Sequence, residues 1–154
     1  MEIRGNSQSA LRLKKIFFQD IHMENSGEKT KNVDDAQAGF RLEKPIIDEK
    51  SLKVGLRCKV EIEGVLYLQL LLIGEFEGEN EEFLKRMVPN AIAIIFPYMR
   101  SQVTLMTAQP NLPPIVLPPI NIKSFFQKKS TAPKRNGRLN YCFRNLSGQF
   151  LIMI

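Results

Sequence analysis

A lone imidazole, two thiols, two runs of glutamate and a pair of glycines are the groups in this 154-residue chain from which chemistry would have to be built. His22 lies on the polar side of an alternating stretch and reads as a surface imidazole, not a general base. Glu61/Glu63 and Glu75/Glu77/Glu79 fall on a solvated strand face and in turns, which makes them poor candidates for a paired acid and base. Cys58 belongs to a dry strand face, where a thiol acts as a small apolar side chain. With Cys142 it makes no disulfide framework, and no second Cys or His stands at zinc-ligand spacing. Gly74 and Gly78 lack the Gly-Lys-Ser/Thr context of a phosphate loop. These residues point away from catalysis, and neither metal nor cofactor is expected.

A chain of this length fits one domain, and 44% apolar with 25% charged residues is ordinary globular composition. The formal charge of +6 is unevenly placed. Six of the 22 Lys/Arg and none of the 16 Asp/Glu fall in residues 127–154, so the preceding part is neutral. The segment from Lys128 to Arg138 could touch nucleic acid or acidic lipid, but no aromatic platform interleaves with it. An exposed basic segment is the simpler reading, and no nucleic-acid partner is expected. The longest apolar run, Val65 to Ile73, is broken by Gln69 and falls short of the ~20 residues that span a bilayer. Without a signal-peptide pattern at Met1–Gly5, a cytoplasmic protein with no membrane insertion is expected.

Hydrophobic periodicity supplies the scaffold. Residues 11–24 alternate as a half-buried strand whose period slips near Lys14-Lys15-Ile16, and residues 25–38 read as a loop. Phe40–Glu43 is a short strand ending before Pro45. From 52 to 63, Leu52, Val54, Leu56, Cys58, Val60 and Ile62 alternate with polar residues or glycine, a strand with one dry face. Gly64 turns the chain into 65–76, where Leu66, Leu68, Leu70 and Leu72 form one face and the other is still mostly apolar. The spacing then predicts a short helix over 80–87, an interruption at Pro89-Asn90, and a long helix from Ala91 to Ala108 that Pro97 starts anew or kinks. Prolines 110, 113, 114, 118 and 119 turn the next segment into an extended apolar arm. The expectation is an α+β fold: a four-stranded antiparallel sheet packed by one long helix, with an extended Pro-rich arm. One helix shields about one face, so surplus apolar surface must meet another subunit or a ligand.

The stretch Ile94-Ile95-Phe96-Pro97-Tyr98-Met99-Arg100, followed by Leu117-Pro118-Pro119-Ile120-Asn121, resembles the SecB family of protein-export chaperones. That family carries a Phe-Pro-Tyr-x-Arg motif on its main helix and a Leu-Pro/Ala-Pro-Val/Ile-Asn arm at this distance. Phe17–Glu24 is similar to its first strand, and Gly74 and Phe76 fall where its fourth strand ends. The resemblance covers roughly residues 11–126. It divides the chain into a SecB-like domain, 1–126, and an atypical basic segment, 127–154.

The resemblance implies a homotetramer, a dimer of dimers with main helices between sheets, that holds unfolded precursor polypeptides without ATP and hands them to the SecA motor. The helices would cover the leucine face and the 52–62 face. Matching positions imply a client groove lined by Phe40, Leu42, Ile115, Leu117, Phe125 and Phe126, and a SecA contact at Asp20, Glu24, Tyr67 and Gln69. Tyr67 and Gln69 replace the family's Leu and Glu, removing one charge from that contact. The departure leaves room for an alternative, a SecB-like chaperone dedicated to one partner such as the antitoxin of a toxin–antitoxin system.

Overall fold

The computed structural model describes residues 11–30, 33–122 and 126, together with the backbone of 140–141. Its elements in chain order are β1 (Arg12–Asn25), β2 (Gln37–Leu42), β3 (Ile46–Ile47), β4 (Ser51–Ile62), β5 (Leu66–Glu77), α1 (Glu81–Thr107) and β6 (Asn140–Tyr141). The four long strands form an antiparallel sheet in the order β1-β5-β4-β2. Two-residue additions flank it, β3 beside β4 and β6 beside β2.

Each strand follows from its alternation. On β4 the six apolar positions are at most 6% exposed, and they sit in register against Leu66, Leu68, Leu70, Leu72, Gly74 and Phe76 of β5. The hairpin between them closes at Gly64, whose φ of 71° lies in the left-handed region that favours glycine. On β1 the slip anticipated near Lys14 is a register shift between Leu13 and Lys15, and a second shift follows between Phe18 and Asp20.

The helix departs from expectation. Asn80 caps it by accepting the Phe83 N–H at 2.8 Å, and Glu81 and Glu82 occupy the first turn. It then runs unbroken for 27 residues through both Pro89 and Pro97. The carbonyls that lose their partners belong to Lys85 and Ala93, both exposed residues, so water can take the place of the missing N–H. The buried face, from Leu84 through Val88, Ile92, Ile95 and Met99 to Val103, also continues across both prolines. Packing therefore holds as one helix what local propensity would divide.

A helix of that length spans roughly 40 Å at 1.5 Å per residue and lies across the inner faces of β4 and β5. It approaches β5 closely at Gly74, where a Cβ would stand 2.8 Å from a methyl of Ile95. Together with the arm, it buries the leucine face and the apolar face of β4 within a single chain, without help from a second subunit.

Candidate functional site

The uncovered apolar surface lies elsewhere. The inner side of β1 carries Leu13, Ile16, Phe18 and Met23, all half-buried, and Ile21 at 48% exposure. The helix packs chiefly on β4 and β5. On the outward side of α1, Ile94, Tyr98 and Leu105 recur at helical spacing, and Leu105 is 69% exposed. Val116 on the arm is exposed as well.

The candidate groove residues separate into two groups. Phe40 and Leu42 share the inner side of β2. Phe40 is nearly buried and meets Phe96 of α1 edge to face at 5.5 Å, while Leu42 and Phe126 are half-buried against the same core. Ile115 and Leu117 are completely buried and in this protomer present no surface to a client. Phe125 lies outside the described residues, as does the basic run 128–138.

The burial of the arm has a polar cause that the sequence reading missed. Thr107, fully buried, accepts the Ile115 N–H at 2.8 Å and donates its own hydroxyl to the Val103 carbonyl at 2.8 Å. One turn earlier, the Thr104 hydroxyl lies 3.0 Å from the Ile115 carbonyl. Arg100 Nε donates to the Leu117 carbonyl at 2.9 Å. Proline-rich backbone has few N–H groups for a sheet, so the helix satisfies the arm's carbonyls with side chains. The motif arginine and the Leu-Pro-Pro arm are thus partners in space. Their joint occurrence was the available signal.

The four candidate SecA-contact residues do converge, on the outer face of β1 and β5. Tyr67 donates to Gln69 Oε1 at 3.2 Å, and Gln69 Nε2 donates to Asp20 at 3.4 Å. His22 stacks edge-on against Tyr67 at 5.8 Å and bonds Glu24 at 2.9 Å, while the Lys59 ammonium lies 5.0 Å above the Tyr67 ring. A wide recess of about 400 Å³ adjoins them, lined by Glu24, Glu61, Val65 and Tyr67 among others.

The face is charged but internally compensated. Arg57 bridges Asp20 at 3.7 Å and Glu43 at 3.0 Å, Lys53 meets Glu75 at 3.9 Å, and Arg12 and Lys14 meet Glu77. Partial burial raises the Glu43 carboxyl, but the hydrogen bond from Arg57 and the charges of Arg41 and Arg57 outweigh it and hold the group below its ordinary value. Cys58, sealed on the inner face, has its thiol pushed far up by burial. Among the described residues no group of three or more His, Cys, Asp or Glu could hold a metal ion, and no helix is long and apolar enough to cross a membrane.

The described residues thus form a two-layer α+β subunit with an apolar sheet edge and an apolar helix stripe. The family profile for preprotein translocase subunit SecB matches residues 4–133, and the chain belongs to the SecB family. Similar proteins include the protein-export protein SecB of an Azoarcus species, 27% identical over 139 residues that span 82% of this chain and 92% of that one. An uncharacterized protein of Methanocaldococcus jannaschii is 52% identical over 60 residues, spanning 37% of this chain and 39% of the relative. Among solved structures, the Mycobacterium tuberculosis SecB-like chaperone Rv1957, in complex with a ChAD peptide from the HigA1 antitoxin, has the same fold. The TM-score is 0.57 at 17% identity, covering 72% of this chain and 91% of that chain.

Proposed function

We propose that this chain is an ATP-independent holdase that binds unfolded precursor polypeptides and delivers them to the Sec export machinery. The observation that carries the reading is the apolar surface left uncovered after the chain's own helix and arm are docked, on the inner side of β1 and the outward stripe of α1. Apolar side chains that a client exposes only while unfolded gain roughly 1.5–3 kcal/mol each when fully buried, which favours capture without an energy source. The inner side of β1 is the proposed client surface, with Leu42 and Phe126, half-buried near the buried Phe40, as a second contact at β2, and the α1 stripe is proposed to pack in a dimer of dimers. The test is aggregation of an unfolded secretory precursor, followed by light scattering with and without this chain. Suppression of aggregation by an assembly of about four subunits is the expected result, and a monomer that leaves aggregation unchanged overturns it.

A second reading, a chaperone dedicated to one partner such as an antitoxin, is favoured by the outer face. Asp20 is already engaged by Gln69 and Arg57, and Tyr67 and Gln69 stand where the family has Leu and Glu. Capture of one antitoxin, with neither SecA nor mixed precursors bound, would decide for it.

A further inference from the structure

We propose that the chain's own C-terminal segment at Asn140–Tyr141 occupies the open edge of β2 as an internal stand-in for a client strand, so that strand binding at that edge requires its displacement. The inference rests on the holdase reading for its consequence, though not for the contact itself.

The pairing is antiparallel, Phe40 against Tyr141 and Arg41 against Asn140. On the opposite side β2 is bound to β4, where the Glu43 N–H bonds the Gly55 carbonyl at 2.9 Å just beyond the strand's end. Peptide groups alternate sides along a strand, so those of Ala38, Phe40 and Leu42 face away from β4. Of these three, only Phe40 has a register partner on that side among the described residues. Among the described residues, the internal strand therefore matches two of the six residues of β2. Two-residue pairings are weak, and a longer extended segment laid along Gln37–Leu42 would replace them with a full ladder.

Three features suit the segment to this role. Its sequence alternates, with Leu139, Tyr141 and Phe143 separated by Asn140 and Cys142, the period of a strand. It begins beyond residue 133, where the match to the family profile ends. It also occupies the edge directly at Phe40, the aromatic side chain packed on Phe96. An unpaired edge would otherwise be open to indiscriminate strand addition. The competing ligand is accordingly an extended, apolar-alternating polypeptide that contributes main-chain hydrogen bonds.

The test uses the full-length chain with Tyr141→Pro, which removes a backbone donor, and Tyr141→Val, which keeps it. Two quantities are read: amide exchange at Phe40, and affinity for a fluorescein-labelled, reduced and carboxymethylated unfolded protein. Tyr141→Pro is expected to speed Phe40 exchange and tighten client binding by roughly two- to tenfold, the scale of one or two net backbone hydrogen bonds, while Tyr141→Val changes neither. Unchanged exchange overturns the contact, and faster exchange with unaltered affinity overturns the competition. If neither wild type nor variant binds the unfolded protein, the holdase reading falls and the competition with it, while the exchange data still report on the pairing.

Discussion

Asp20 and Arg57 stand on the two strands that flank β5 and meet at 3.7 Å across it, directly over Leu71, the residue in register with both. Leu71 is thereby only 6% exposed on the face opposite the helix. A polar roof over an apolar side chain gives the outer face a packed layer of its own. Partly exposed ion pairs contribute about 0–1 kcal/mol, whereas removing most of a buried leucine costs roughly 2–5 kcal/mol. Leu71→Ala should therefore lower the urea midpoint well beyond Asp20→Ala. Equal, small effects would show that the layer is not packed.

The same arginine holds Glu43. Because the Glu43 carboxyl is lowered from its ordinary 4.5, it stabilises the fold above that value and the contribution is lost as pH falls through the folded-state pKa. Glu43→Gln should lower stability near neutrality and flatten the acid-side decline between about pH 6 and pH 3. Parallel denaturation midpoints for wild type and variant across that range would contradict it.

Thr107 latches the arm. Thr107→Val preserves shape but leaves the buried Ile115 N–H without its acceptor, at a cost of about 1–3 kcal/mol. Limited proteolysis should then cut within residues 109–117, and amide exchange at Ile115 should rise. Thr104→Val, at a half-buried position, should have the smaller effect.

Cys58 is sealed against β5 with its thiol raised by burial, so the thiolate that reacts is scarce. In a Cys142→Ser background, Ellman's reagent at about pH 8 should titrate no thiol in the native protein and one in denaturant. Rapid native labelling would place Cys58 outside the core.

The exposed Leu105 lies at the end of the α1 stripe. If that stripe joins subunits, Leu105→Glu places a charge in an apolar interface and should lower the mass seen by light scattering while leaving the monomer's circular dichroism unchanged. Identical masses would remove α1 from the interface.

Much of the fold was legible in local pattern. Six alternating apolar positions on β4, the turn at Gly64 and the two glutamates that open α1 are short-range signals, each carried by neighbouring residues. The paired motifs at Phe96–Arg100 and Leu117–Asn121 carried the family likeness in the same way. Legibility failed where the outcome depended on residues far apart in the chain. Pro89 reads locally as a break, yet the face from Leu84 to Val103 packs on β4 and β5 as one surface and keeps the helix whole. Positions matching the family imply a client groove at Ile115 and Leu117, but here the side chains of Arg100, Thr104 and Thr107 hold the arm's backbone and both residues are buried.

Residue order alone settles which segments become the long strands and the arm and where the helix begins, though not that it continues through Pro89, because backbone preference and hydrophobic period act over a few residues. Which apolar surface is left for other chains is settled only when those elements pack. That outcome depends on how far a 27-residue helix reaches across the sheet, covering β4 and β5 and leaving β1 at the edge. Reach is a property of packing, and no local pattern records it.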